Sequence, residues 1–429
     1  MSVLGFLGAR HLVSRTGIGE EWDVINKVSK LTIHQAVNQF LKQNNQRTPA
    51  IPKFSSWKKM DALQNNPYRN MYYIARRIGK LEGAKLQTWW VKHLLTTKTP
   101  FLERMTLFWH NHFPSSILKT NQASFLHRQN LLFRRRALGN YGTLLREVAK
   151  DPAMLLYLDG QTNTKESPNE NFAREVLELF TLGRGYYTHA DVVEAAKAFT
   201  GWGINKQGKF INDITQHDNS IKTFLGQRGN FNGDQIINIL LKHPRTAEVI
   251  AEKMWKEFIN ISTPNPRTVK RWAKVFRDAN YNTSTLLRAV LTSEEFWDKR
   301  NRGTLIKSPI QLAIGTLRTL PYKLPRRGIE RSLNILGQGV FKHPSVKGWP
   351  GGSDWISTQS ILIRTALMQD LSGTKFNPNG FIEKKLPKVS GERLQQWLLP
   401  TEPLTQFDLN RDRQRVVRDL VLDPAYQVC

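Results

Sequence analysis

Apolar residues recur at three- and four-residue steps through most of this 429-residue chain. Examples are "TIHQAVNQFLKQ" (32–43), "FLERMTLFWHNHF" (101–113) and "GDQIINILLKHPRTAEVIAEKMWKEFI" (233–259). This spacing places apolar side chains on one side of an α-helix, where neighbouring helices can bury them. The sequence therefore predicts a mainly α fold. No run approaches the uninterrupted apolar length of a membrane-spanning helix, about 18 residues or more.

One segment breaks the helical pattern. Residues 202–233 are rich in glycine and asparagine, with short alternating runs on either side of Gly208. Such runs around a turn residue predict a small β-hairpin with a long loop, inserted into the helical domain. A second long loop, 341–357, combines glycines, prolines and two tryptophans. We expect this loop to cover a pocket or a helix end.

The helical segments predict one large domain over residues 1–372, with two lobes at 1–160 and 161–372 as the alternative division. The last part, 373–429, is punctuated by proline. We expect it to form a C-terminal segment that wraps around the domain.

The chain is strongly basic. Lysine and arginine number 63 against 35 acidic residues, a net charge of +28, which predicts attraction to a polyanion: a polysaccharide, a nucleic acid or an anionic lipid surface. The single cysteine, Cys429, excludes an intrachain disulfide framework. The N-terminus lacks the basic region, long apolar region and cleavage site of a signal peptide, so the sequence by itself predicts a cytoplasmic protein.

The stretch "ESPNENFAREVLELFTLGRG" (166–185) is acidic in this basic chain. It predicts a capped amphipathic helix in which Glu170, Arg174 and Glu178 are spaced four residues apart and form a ladder of ion pairs. Glu175 lies instead on the side shared with apolar residues. A carboxylate there has no local explanation, so Glu175 is the first catalytic candidate.

The following helix begins with Thr188 and Asp191, whose spacing predicts a capping box. Glu194, further along the same helix, has no such role. Small alanines surround it, and we expect its carboxylate to project into a cleft that faces Glu175.

Two further clusters carry histidine. On a helix His110 and His112 point about 200° apart, so they cannot both bind one metal ion. His110 shares a face with Glu103, which we expect to orient it or to act as a second metal ligand. The alternative is that these histidines are hydrogen-bonded residues at a helix end.

The second histidine cluster lies in the glycine-rich loop. A neighbouring pair such as His217 and Asp218 can transfer protons or bind a metal ion. Lys222 follows closely and could hold an anionic group. No established metal, phosphate-binding or nucleophile-elbow motif is present.

Taken together, these stretches resemble the signature blocks of DUF1800, a bacterial family of unknown function. The similar blocks occur in the same order from about residue 10 to about residue 370. The resemblance implies a largely helical protein, often exported, and often encoded beside a DUF1501-family protein that would be a partner. The defining blocks fall here on His110, Asn111 and His112; Asn169, Glu170, Asn171, Arg174, Glu175 and Glu178; Thr200, Gly201 and Trp202; His217 and Asp218; and Gly348, Trp349, Pro350 and Gly351.

Two interpretations follow. The first is a hydrolase or group-transfer enzyme acting on an anionic substrate in a polar cleft, with or without a divalent metal ion. Its catalytic candidates are His110, Glu175, Glu194, His217 and Asp218. Its substrate-binding candidates are Arg174, Lys222, Trp202 and Trp349. The metal-ligand candidates are Glu103, His110, Glu175 and His217.

The second interpretation is a non-catalytic binding or assembly protein. In that case the polar residues satisfy one another inside the fold. The basic surface would then dock a polyanion or a partner protein.

Overall fold

The computed structural model describes residues 2–43, 48–322, 328–373 and 381–429. Helices dominate this part of the chain, so the predicted mainly α fold is confirmed. The helices before residue 160 are α1 (Gly5–Thr16), α2 (Trp22–Val28), α3 (Ile33–Leu41), α4 (Trp57–Gln64), α5 (Arg69–Thr96), α6 (Pro100–His112), α7 (Ile117–Thr120), α8 (Ala123–Arg136), α9 (Tyr141–Ala149) and α10 (Pro152–Tyr157).

The helices after residue 160 continue to the end of the chain. They are α11 (Glu170–Glu175), α12 (His189–Ala198), α13 (Gly233–Lys242), α14 (Pro244–Phe258), α15 (Pro266–Asp278), α16 (Thr283–Leu291), α17 (Glu294–Trp297), α18 (Pro309–Thr319), α19 (Ile329–Ile335), α20 (Thr358–Ser372), α21 (Gly391–Leu398) and α22 (Arg413–Leu422). Among the described helices, none has the length and apolar character needed to cross a membrane.

The predicted β-hairpin is present between α12 and α13. Strand β1 (Trp202–Ile204) pairs antiparallel with β2 (Phe210–Asn212), with Trp202 opposite Asn212. A second antiparallel hairpin follows, β3 (Lys222–Phe224) with β4 (Gln227–Gly229). Strand β3 packs against α12, so the insertion is attached to the helical domain through that helix.

A continuous hydrophobic core joins elements that are distant along the chain. Two of its fully buried indoles, Trp109 and Trp397, donate hydrogen bonds to the carbonyls of Ala137 (2.9 Å) and Glu20 (2.6 Å). A buried indole N–H needs an acceptor. These two bonds therefore fix α6 against the end of α8, and α21 against the loop after α1.

The residues after 380 contact helices that are far apart along the chain, α1 and α18. Arg10 of α1 donates to the carbonyls of Trp397 (3.1 Å) and Leu398 (3.3 Å). The hydroxyls of Thr316 in α18 and Tyr426 share a 3.0 Å hydrogen bond. The predicted start of the C-terminal segment adjoins residues 374–380, which lie outside the described residues.

Candidate functional site

A pocket with a volume of about 510 Å³ opens between α6, α14 and the loop 341–357. Helix α6 contributes residues at three- and four-residue steps, which is one face of a helix. The loop 341–357 supplies another part of the wall, through Lys347 and residues 349–355. The residues that carry polar groups into the pocket are Arg104, Asn111, His112, Lys253, Lys256, Glu257, Ser308, Gln311, Gln338, Lys347, Ser353 and Asp354.

Basic side chains outnumber acidic ones in this pocket. Arg104 is held in an ion pair, with its Nε 2.7 Å from Oε1 of Glu257. The remaining ionisable groups are one carboxylate, Asp354, and the three amines of Lys253, Lys256 and Lys347. The pocket therefore favours an anionic ligand.

Lys253 has an unusual environment for a lysine. Its Nζ donates to Nδ1 of His112 (2.6 Å) and to the carbonyl of Leu179 (2.9 Å). No carboxylate of the described residues forms an ion pair with it. Burial, together with the charge of nearby Lys256, lowers the pKa of Lys253 to about 7. Lys253 can therefore gain or lose a proton near neutral pH.

His112 links this lysine to the core. Burial, together with the charge of Lys253, holds the pKa of His112 well below its ordinary value, so its imidazole is neutral. Because Nδ1 accepts from Lys253, the ring proton is on Nε2, which lies 3.5 Å from the Tyr141 hydroxyl. That hydroxyl donates in turn to the carbonyl of Phe180 (2.5 Å). The ring is thus held from both sides.

The two acceptor carbonyls come from a π-helix. Helix α11 ends at Glu175, and the chain continues in π-helical form over Val176–Thr181. Near its end, where main-chain carbonyls lack intrahelical donors, Leu179 and Phe180 accept from Lys253 and Tyr141. Short π-helical segments occur often at functional sites, and this one holds Lys253 of the pocket and the Tyr141 hydroxyl beside His112.

Glu175 lies where the α-helix becomes a π-helix. Its side chain is 9% exposed and forms no hydrogen bond or ion pair within the described part of the chain. Burial, aided by the charge of Glu178, raises the pKa of Glu175, while Lys347 of the pocket acts in the opposite direction. Glu175 therefore adjoins the pocket electrostatically, but it does not line it.

The loop 341–357 is fastened to α6 through Asn111. The Asn111 Oδ1 atom accepts the main-chain N–H of Trp349 at 2.6 Å. The preceding residue, Gly348, has a φ of +86°, and a Cβ there would lie 2.4 Å from that same Oδ1 and 2.6 Å from the Asn111 carbonyl. Only glycine allows the loop to approach α6 this closely.

We expect Gly348→Ala to lower the free energy of unfolding by about 2–4 kcal/mol, from left-handed strain plus the clash with Asn111. The matched control is Gly185→Ala, because Gly185 has the same φ of +86° but no atom of the described residues within 4 Å of its Cβ position. The control should cost about 1 kcal/mol. Urea unfolding of both variants measures the difference, and equal losses would show that the contact with Asn111 is unimportant.

Behind Trp349 lies a cluster of buried ring nitrogens. His110 Nε2 accepts from the N–H of Phe341 (3.3 Å), and His343 Nδ1 lies 3.3 Å from the carbonyl of Ser115. The His343 ring centroid is 4.4 Å from that of His110 and 4.2 Å from that of Trp349. Among the described residues, His110 Nδ1, His343 Nε2 and the indole Nε1 of Trp349 have no hydrogen-bond partner. His110 thus belongs to this buried cluster, on the opposite side of α6 from His112.

Glu103 is not paired with His110 as the sequence suggested. Its carboxylate accepts two bonds from Arg134 (2.5 and 2.9 Å), one from Trp90 (3.1 Å) and one from His93 (3.0 Å). These partners fill the four acceptor positions of the buried carboxylate. His110 contacts the Trp90 ring instead, with centroids 5.0 Å apart.

Glu194 attaches the second hairpin to α12. Its carboxylate accepts from Nζ of Lys197 (2.7 Å) and from the N–H of Thr223 (3.1 Å). It faces β3, and not a cleft shared with Glu175 as expected. The capping box of Thr188 and Asp191 is confirmed at the start of the same helix.

His217, Asp218 and Lys222 lie together beside Glu194. The buried Lys222 donates to the carbonyls of Asp218 (2.6 Å) and Ser220 (3.0 Å). His217 Nδ1 lies 2.9 Å from the carbonyl of Thr200. These bonds are local and hold the loop between the two hairpins, at a distance from the basic pocket's lining.

Trp202 packs between the rings of Phe199 and Phe210, with centroids 5.0 and 5.4 Å away. It lines a second, open pocket of about 490 Å³ with Trp57. Trp202 and Trp349 therefore lie in different pockets.

The predicted ion-pair ladder forms only in part. Arg174 binds Glu170 at 2.7 Å, whereas Glu178 binds Arg184 at 2.6 Å instead of Arg174. Because the π-helix begins after Glu175, residue 178 no longer stands one α-helical turn beyond residue 174.

In the described ranges, no group of three or more His, Cys, Asp or Glu is placed to hold a metal ion. The four proposed ligands, Glu103, His110, Glu175 and His217, are therefore not assembled into a metal site.

A sequence model of the family described as "Protein of unknown function (DUF1800)" matches residues 11–427. The chain belongs to the DUF1800 family. The match confirms the resemblance seen in the sequence blocks, and it continues through the C-terminal segment. No curated protein and no solved structure matches the chain.

In this DUF1800 protein, sequence reasoning missed Lys253. The residue follows Val249 and Ile250 by four and three positions, which places it on the buried stripe of α14. An ionisable group on an apolar stripe is the signal that singled out Glu175, and it applies equally to Lys253.

Proposed function

We propose that this protein is a hydrolase or group-transfer enzyme that binds an anionic substrate in the basic pocket and transfers a proton through Lys253. The observation that supports it most directly is the position of Lys253. This lysine is at the wall of the pocket, bonds to a neutral histidine and has no carboxylate partner among the described residues.

The hydrogen bonds of Lys253 determine what its amine can do. In the neutral form, both N–H groups are donated, to His112 Nδ1 and to the Leu179 carbonyl. Its lone pair remains available to take a proton from water or from a substrate hydroxyl. In the charged form, the third N–H is available to an anionic group of the substrate.

The neighbouring lysines suit substrate binding. Lys256 and Lys347 line the same pocket, and we propose that they hold the anionic group while Lys253 acts on the adjacent bond. This version of the mechanism needs no metal ion. Glu175, through its charge interaction with Lys347, would adjust how strongly that lysine holds the substrate.

The competing interpretation is a binding protein that uses the same pocket without turnover. A polyanion and a DUF1501-family partner also remain proposals from the sequence and from the family resemblance. Measuring substrate turnover by the wild type and by matched variants distinguishes the enzyme from the binding protein.

The test is release of nitrophenol from 4-nitrophenyl phosphate, 4-nitrophenyl sulfate and a carboxylated 4-nitrophenyl ester. For a substrate that is turned over, we expect Lys253→Met to lower kcat by about 10²–10⁴-fold. Lys253→Arg should fail equally, because arginine keeps the charge but cannot become neutral. Lys270→Met, an exposed lysine of the adjacent α15, is the control and should behave as wild type.

Two outcomes would contradict the proposal. Full activity of Lys253→Arg would mean that only the positive charge matters. Stoichiometric binding of these anions with no turnover of any of them would favour the binding protein.

A further inference from the structure

The first half of α5 carries exposed apolar side chains on the outside of the domain. Its buried side is formed by Ala75, Gly79, Gly83 and Leu86. On the opposite side Tyr73, Ile74 and Leu81 are 55%, 44% and 58% exposed. Arg77 and Lys80 lie between them and are also exposed. We call these five residues the α5 outer face.

The charge of this region has one sign. From residue 53 to residue 85 the chain has eight basic residues and two acidic ones. The acidic residues are turned to local partners: Glu82 accepts the N–H of Ser55 (2.7 Å), and Asp61 accepts from Asn65 (2.8 Å). Within the described residues, Arg77 and Lys80 form no ion pair. The region therefore offers uncompensated positive charge.

We infer that the α5 outer face docks onto the surface of an anionic lipid bilayer. Cations interleaved with tyrosine and aliphatic side chains are what an interfacial helix presents to lipid headgroups and the outer acyl region. The α5 outer face extends over residues 73–81, about 12 Å along the helix axis, whereas the second half of α5 is largely buried. Nucleic acid would use the cations but would gain little from exposed Ile74 and Leu81. The site is separate from the basic pocket, so the inference does not depend on the proposed enzymatic activity.

The experiment is co-sedimentation with vesicles of phosphatidylglycerol and phosphatidylcholine, compared with phosphatidylcholine alone. We expect the wild type to bind only the anionic vesicles, more weakly as salt rises. Ile74→Ser/Leu81→Ser and Arg77→Gln/Lys80→Gln should each weaken binding about tenfold, because apolar contact and charge both contribute. The control pair is Ile214→Ser/Ile221→Ser, two exposed aliphatic residues (76% and 59%) in the hairpin insertion. It should bind as wild type.

Absence of binding to anionic vesicles would overturn the inference. So would wild-type binding by Ile74→Ser/Leu81→Ser together with loss in Arg77→Gln/Lys80→Gln, because the face would then be a general polyanion site that heparin or duplex DNA also occupies. Equal weakening in the control pair would overturn it as well, because the α5 outer face would have no special role.

Discussion

Glu103→Gln is expected to lower the free energy of unfolding by about 3–5 kcal/mol, because it leaves the buried Arg134 guanidinium without a counter-charge. Glu103 is fully buried, and its carboxylate accepts bidentate hydrogen bonds from that arginine. These contacts outweigh the opposing effect of burial and hold the pKa of Glu103 at about 2, below its ordinary value. The stabilisation is therefore present when the carboxylate is ionised.

The sign of the pH dependence follows from this lowered pKa. The unfolded glutamate titrates near its ordinary value, about 4.3, so the stabilisation is fully present above that pH and is lost as pH falls toward about 2. The difference between wild type and Glu103→Gln should narrow between neutral pH and about pH 3. Urea unfolding at the two pH values measures it.

Glu147→Gln is the matched control. Glu147 also accepts bidentate bonds from an arginine, Arg136 (3.0 and 2.5 Å), but its side chain is 31% exposed. Solvent and salt screen such a pair, so its loss should cost at most about 1 kcal/mol. Equal destabilisation by both substitutions would contradict the importance that we assign to the buried site.

The amine of Lys253 should react with acetic anhydride at neutral pH far faster than an ordinary lysine. With a pKa of about 7, roughly three-quarters of the amine is neutral at pH 7.5, against about 0.1% for a lysine of ordinary pKa near 10.4. We expect a labelling rate more than about tenfold higher, since a less basic amine is also somewhat less nucleophilic and the pocket limits access. Its pH profile should have a midpoint near 7.

Trace labelling across this pH range, followed by peptide mass spectrometry, measures the profile. Lys256 is three residues along α14 and is exposed at the same pocket, so it serves as the reference lysine. A rate at Lys253 that still rises steeply above pH 9 would show that its pKa is not lowered. Labelling of Lys256 without Lys253 would show that the Lys253 amine is inaccessible.

Local sequence patterns predicted the helices, the first hairpin and the capping box at Thr188, because each depends on residues within a few positions of one another. The π-helix after Glu175 could not be predicted from local sequence patterns. Its carbonyls are satisfied by side chains from α9 and α14, and α-helical spacing led to the wrong partner for Glu178. This local geometry depends on hydrogen-bond donors from distant parts of the chain, the Tyr141 hydroxyl and the Lys253 amine.

The candidate site was likewise predicted only in those features that depend on local sequence. Helix geometry correctly separated His110 from His112, but it could not tell which of them faced a pocket. That depended on where Lys253 and the loop 341–357 pack. The histidine–aspartate pair at 217 and 218 had an equally suggestive sequence, yet its bonds are local, from His217 to the Thr200 carbonyl after α12 and from Lys222 to the Asp218 carbonyl. Burial and long-range contacts distinguish the two clusters.

The hydrogen bond between Lys253 and His112 joins residues 141 positions apart. Closing so long a loop costs conformational entropy, which is recovered only when the intervening core has formed. The proposed proton-transfer pair therefore depends on the intervening core and has no counterpart in any short fragment of the chain. Both hairpins lie between His112 and Lys253 in the sequence but outside the basic pocket. The hairpin insertion can therefore change in length without altering the contact between these two residues.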